Sequence, residues 1–169
     1  MLKELIRDIP DFPKEGIIFK DITPVLQSPA GLKEVVDKFS DHYANQKIDV
    51  IVGAEARGFL FGPAVAINIG AGFVPVRKPG KLPYETASKT YDLEYGTDTL
   101  EIHKDAVKAG DNVLMMDDLL ATGGTMVASC ELVESLGGKI TGCAFLIELG
   151  FLNGKEKLSQ YDIFSLIQY

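Results

Sequence analysis

The chain has 169 residues, with 17 Lys+Arg against 24 Asp+Glu and a formal net charge of −7. That length fits one domain with a sizeable core, and 46% hydrophobic against 24% charged residues is the composition of a globular chain, not a disordered one. An isoelectric point near 4.8 disfavours nucleic-acid and anionic-membrane partners, which need a basic surface.

No stretch approaches the roughly 18 apolar residues of a membrane span. The opening Met1-Leu2-Lys3-Glu4-Leu5-Ile6-Arg7-Asp8 alternates charge with apolar residues and lacks a signal peptide's apolar run, so the expected location is the cytoplasm. Cys130 and Cys143 form no CxxC and read as reduced, apolar fillers.

No repeat or composition break divides the chain, which predicts one domain. Its first part, residues 1–28, holds Pro10, Pro13, Gly16 and Pro24 and predicts a short helix followed by an irregular stretch. From Pro29 the pattern turns helical: Leu32, Val35, Val36, Phe39 and Tyr43 share one face, with Ser28 as N-cap and Pro29 in the first turn. Residues 48–53 predict a strand, 59–69 a helix closed by Gly70, and 72–77 a second strand. A polar stretch around Pro79, Gly80 and Pro83 predicts a long exposed loop, about residues 79–91. Residues 93–95 and 99–102 read as a strand pair turning at Gly96. Then come a buried strand at 112–116, a helix over 124–136 ended by Gly137-Gly138, an apolar strand over 139–149 and a final strand or subunit contact at 164–169. Strands alternating with helices predict an α/β fold, a parallel sheet flanked by helices, with the ligand beyond the carboxyl ends of the strands.

The informative strand end is Asp117-Asp118-Leu119-Leu120-Ala121-Thr122-Gly123-Gly124-Thr125. Two adjacent carboxylates can hold ribose hydroxyls or the water shell of Mg2+. Ala121, Thr122, Gly123, Gly124 and Thr125 can wrap a phosphate, because glycines permit close backbone approach and a helix N-terminus adds partial positive charge. The loop has no lysine and is not a Walker A motif. A second strand end carries Gly53-Ala54-Glu55-Ala56-Arg57-Gly58, and Arg77, Lys78 and Lys81 cluster after a third.

The stretch from Val113 to Thr125 resembles the phosphoribosyl pyrophosphate (PRPP) signature of the type I phosphoribosyltransferases. Gly16–Pro24, Ala56–Pro63, Arg77–Pro83, Tyr91–Gly96 and Phe164–Tyr169 extend the resemblance over nearly the whole chain and make it similar to the adenine-using branch. The resemblance implies the family fold, with a small N-terminal hood (1–28), a core (29–169) and a flexible active-site loop (about 79–91). It implies transfer of a phosphoribosyl group from PRPP to adenine, giving AMP and pyrophosphate with Mg2+, in a homodimer. Residues 121–125 would cradle the 5′-phosphate, and Asp117 and Asp118 would accept the ribose hydroxyls. Glu55, Ala56, Arg57, Arg77, Lys78 and Lys81 would hold pyrophosphate, with a cis peptide between Glu55 and Ala56. Mg2+ would be held by PRPP and water near Asp117 and Asp118, without direct protein ligands. Phe19 would stack on the purine with Leu149 on its other face, and backbone groups of Ile18 and Lys20 would read the adenine edge. Many relatives have Arg where this chain has Lys20, so its side chain carries no assigned role. Glu94, Tyr95 and Arg57 are the implied catalytic residues. The carboxyl of Glu94 would relieve charge on the purine, by proton transfer or by electrostatics. Alternatives at this stage are a transferase for another base and a PRPP-sensing regulator; the negative charge disfavours the second.

Overall fold

The computed structural model describes residues 2–93 and 95–169. Its centre is a five-stranded sheet built from β3 (Val50–Ala54), β4 (Gly72–Val76), β7 (Asn112–Leu120), β8 (Lys139–Glu148) and β9 (Ile163–Gln168), ordered β4-β3-β7-β8-β9. All four pairings are parallel. The strands are apolar almost throughout because both faces are covered. Leu114 and Met116 of β7 face a layer holding α2 (Pro29–Tyr43) and α3 (Gly62–Ile69). Val113 and Met115 face the opposite layer, with α4 (Gly124–Ser135) and Leu100 and Ile102 of a β-hairpin.

Local signals set the helix ends. Ser28 accepts a hydrogen bond from the Gly31 amide at 3.1 Å, with Pro29 opening α2. Gly70, at φ +73°, closes α3. The expected helix over 59–69 is split: a 3-10 turn covers Arg57–Phe59, and the α-helix begins only at Gly62. Pro63 has no amide proton to give to an earlier turn, so it fits only at a helix start.

Three further expectations need correction. The N-terminal segment is more regular than a helix and an irregular run. After a 3-10 turn at Leu2–Leu5, β1 (Arg7–Pro10) pairs antiparallel with β2 (Ile18–Asp21), and α1 (Thr23–Gln27) follows. The Arg7–Asp21 and Lys20–Asp8 ion pairs, both at 2.6 Å, lace this hairpin together. Residues 79–91 are not one loop. Residues 79–85 are irregular, but β5 (Thr86–Asp92) pairs residue for residue with β6 (Thr97–His103). Its Thr, Ser and Lys read as loop polarity, although Ala87 and Tyr91, four residues apart, share the face that packs on the core. Finally, β7 runs past the two acids to Leu120, with Asp117 opposite Phe145 and Leu120 opposite Glu148.

The order of the sheet positions the site. From β3 the chain crosses to β4 on one side, and β7 then pairs on the other side of β3. The crevice at such a reversal, beyond the strand ends, is where open α/β sheets bind ligands. The two loops flanking this one are 55–58 and 121–125.

Phe39 of α2 is completely buried and meets the Phe164 ring edge-on with centroids 6.2 Å apart. Phe39→Ala is expected to cost about 3–5 kcal/mol of stability, read as a lowered urea midpoint with an unchanged slope.

Candidate active site

A cleft of about 270 Å3 opens at the crevice, lined by Glu55, Ala56, Arg57, Lys78, the 117–126 segment, Leu100 and Phe145. Its floor is the end of β7. Asp118 is buried, and its carboxylate lies 3.0 Å from Nε of Arg57, which is itself 46% exposed. The Asp118 amide donates to Oδ1 of Asp117 at 2.8 Å. Burial and then the neighbouring Asp118 charge push the Asp117 carboxyl well above the usual carboxylate range. Burial also raises Asp118, opposed by the Arg57 guanidinium. Neither acid is exposed: Asp118 is buried and Asp117 half-buried. Strand β7 continues beyond them, and β3 and β8 flank them.

One wall is the glycine loop. Gly123, at φ +87°, is the N-cap of α4, and no side chain caps the helix. Its first amides are thus left for an outside acceptor. The loop also has a backing that sequence reasoning missed. Gly154 opens the short helix α5 (Gly154–Lys157). A Cβ on Gly154 would lie 2.4 Å from the Ala121 carbonyl oxygen, and one on Gly123 would lie 2.9 Å from the Gly154 carbonyl oxygen. Lys155 pins this helix to buried Glu148 at 2.9 Å. The Asn-Gly pair at 153–154 signals a turn, but nothing local says which loop it touches.

The opposite wall is the 55–58 turn. The Glu55–Ala56 peptide is cis, as the resemblance implies. Glu55 accepts from the Lys78 amide at 2.6 Å and from Arg77 Nε at 3.3 Å, so this turn and the cations after β4 are fastened together. Lys78 also pairs with Asp98 of β6. That ammonium, helped by the Thr99 amide and the Tyr91 hydroxyl, holds the Asp98 carboxyl below its ordinary value. Tyr91 of β5 lies between Asp98 (3.3 Å) and Thr125 Oγ1 (3.1 Å). Lys81 is exposed and does not line the cleft.

The expected base-binding residues lie beyond this lining. The Arg57 guanidinium is 5.4 Å from the centroid of the Phe19 ring, which packs edge-on against Phe12 at 5.2 Å. Arg57 therefore joins Phe19 to Asp118, making the aromatic platform the neighbour of the acid pair. Ile18 is exposed. The Lys20 ammonium is engaged by Asp8 and lies 3.9 Å from the centroid of the Tyr169 ring, which leaves its main chain as the part available to a ligand. Leu149 directly follows β8, its amide bonded to the Leu120 carbonyl at 2.9 Å. Tyr95, 81% exposed at the turn after β5, is not brought into the cleft. Glu94 lies outside the described residues. Among those residues no group of three or more His, Cys, Asp or Glu is arranged to hold a metal ion.

The phosphoribosyl transferase domain family matches residues 21–168. The adenine phosphoribosyltransferase of Koribacter versatilis is 59% identical over 168 residues, covering 99% of this chain and 92% of its own. The crystal structure of adenine phosphoribosyltransferase from Thermoanaerobacter pseudethanolicus superposes with a TM-score of 0.97 at 58% identity, covering 99% of this chain and 98% of its own. The Saccharomyces cerevisiae counterpart, complexed with an imino-altritol bisphosphate and adenine, gives a TM-score of 0.94 at 47% identity, covering 98% and 96%.

The raised Asp117 carboxyl has a consequence for stability. The folded chain keeps this proton to higher pH than the unfolded chain, whose value is about 3.9. Stability is therefore lost as pH rises from about 4 through the folded value. Asp117→Asn, which can still accept the Asp118 amide, is expected to raise the urea midpoint at pH 7, and the gain should shrink as pH falls toward 4. An unchanged or lower midpoint at pH 7 contradicts this.

Proposed function

The chain belongs to the adenine phosphoribosyltransferase family, and we propose that its cleft makes AMP and pyrophosphate from adenine and PRPP, a purine-salvage reaction. The observation that carries this reading is the meeting, at one reversal of a parallel sheet, of an adjacent carboxylate pair with Asp118 buried, an uncapped glycine-headed helix and a cationic turn. PRPP has one group for each: a ribose diol, a 5′-phosphate and a leaving pyrophosphate.

In this reading the amides and hydroxyls of residues 121–125 hold the 5′-phosphate, and the Asp117 and Asp118 oxygens accept the ribose hydroxyls. N9 of adenine attacks C1′ as the bond from C1′ to the pyrophosphate oxygen breaks. Negative charge grows on the leaving group, where Glu55 and Ala56 backbone groups, Arg57, Arg77, Lys78 and Lys81 offset it. Adenine lies on Phe19 with Leu149 opposite, and its edge is read by main-chain groups of Ile18 and Lys20. A fixed acceptor that suits the amino group of adenine repels the oxo group of hypoxanthine. Arg57 must leave Phe19 for the purine to stack there, and pyrophosphate gives it a reason to move. Glu94, with Tyr95, is proposed to relieve the charge that N9 attack puts on the base. The loop at 79–85 and the β5–β6 hairpin would screen the centre from water.

The donor set also bears on Mg2+. Two adjacent carboxylates with one guanidinium suit a hydrated cation carried on substrate oxygens better than a protein-ligated one. Mg2+ bound that way would offset negative charge on the leaving pyrophosphate. We further propose a cytoplasmic homodimer with no nucleic-acid or membrane partner. Support comes from the net charge of −7 and from exposed Leu60 and Ile67, the latter 80% exposed on α3.

Steady-state assays with PRPP and each purine test the reading; turnover of hypoxanthine but not adenine overturns it. The combined Asp117→Asn and Asp118→Asn exchange is expected to lower kcat/KM for PRPP by at least about a hundredfold while the protein stays folded. Near-normal turnover removes the acids from their assigned role.

A further inference from the structure

The two anion-binding walls are joined by a continuous polar chain that runs through the β5–β6 hairpin. It starts at Thr125 in the first turn of α4 and passes through the Tyr91 hydroxyl to Asp98. Tyr91 and Asp98 face each other directly across the hairpin. From Asp98 it continues to the Lys78 ammonium, and the Lys78 amide reaches Glu55 of the opposite turn. A second tie, Lys89 to Glu131 at 2.8 Å, fastens the same strand to α4. The Tyr91 ring also lies against Gly124, 3.8 Å from where a Cβ would stand.

We propose that Tyr91 and Asp98 are positioning residues that tie the phosphate loop to the pyrophosphate turn, so that filling one subsite orients the groups of the other. The inference rests on the function proposed above.

Proton count sets the direction of these bonds. The Tyr91 hydroxyl has one proton and two neighbours. Asp98 is a carboxylate and can only accept, so Tyr91 donates to Asp98 and receives from Thr125. A phosphate seated on Thr125 takes that hydroxyl's only proton. The Thr125 oxygen is then an acceptor, and Tyr91 turns its proton back toward it. Asp98 loses one donor and keeps the Thr99 amide and Lys78. Its pull on Lys78 grows, which fixes the ammonium at the cleft rim with its other protons free for pyrophosphate. No proton leaves the chain of groups; each bond is exchanged for another.

Two variants test the bridge, Tyr91→Phe, which keeps the ring against Gly124, and Asp98→Asn, which keeps the shape. Each is expected to raise KM for PRPP roughly tenfold, the loss of one charge-assisted hydrogen bond, with kcat and the KM for adenine little changed. The double variant should be no worse than the poorer single one, because both cut the same chain. Binding of AMP and of pyrophosphate, each alone, supplies the decisive readout. A bridge requires Tyr91→Phe, on the phosphate side, to weaken pyrophosphate as well, and Asp98→Asn, on the cation side, to weaken AMP. Effects confined to the adjoining subsite, additive losses in the double variant, or unchanged constants overturn the bridge. If the unsubstituted enzyme itself fails to turn over adenine with PRPP, the underlying function is what fails.

Discussion

Two carboxylates side by side inside a protein are an unfavourable arrangement, and the cleft is organised around keeping Asp117 and Asp118 there. Strand β7 is the third of five, with β3 paired to it up to Met116 and β8 up to Leu120. Both carboxyls are pushed up by burial, and Asp117 also by its neighbour. The one guanidinium in reach, Arg57, comes from the turn after β3, the strand paired alongside. Sheet order therefore supplies the compensating charge. A different strand beside β7 would leave the acid pair without it.

The same economy explains how an acidic protein handles a polyanion. Two cations line the cleft and a third, Arg77, sits behind Glu55, and each already has a carboxylate: Arg57 has Asp118, Arg77 has Glu55 and Lys78 has Asp98. The resting cleft is thus balanced locally, and a polyphosphate competes with built-in anions for every cation. Among the described residues the amides at the start of α4 have no side-chain rival, which makes the phosphate loop the natural first anchor.

Much of this was legible in the sequence, for identifiable reasons. The apolar strands, the helix opened by Ser28-Pro29 and the Asp117–Thr125 loop are local patterns, each contained in one short stretch of chain. The strand β5 was misread because polar residues dominate its sequence, and only its partner β6 and the helix beneath decide that it pairs. The depth of the acid pair was missed because burial at a strand end depends on how far the neighbours extend. Tyr91, Asp98 and Gly154 were missed for a related reason. Their significance lies in contacts with Thr125, Lys78 and Ala121, which come from other elements and carry no signature at their own positions.

The backing of the phosphate loop by Gly154 bears on how the protein is made. The loop at 121–125 leaves the ribosome before the turn that supports it, and before β9, which pairs with β8. A nascent chain that stops short of Gly154 already carries every residue assigned to phosphate and ribose, yet it lacks the backbone that packs behind the Ala121 carbonyl and the Gly123 turn. The phosphate loop thus gains its backing only after the Gly154 turn has been made, although the residues that contact the ligand come earlier in the chain.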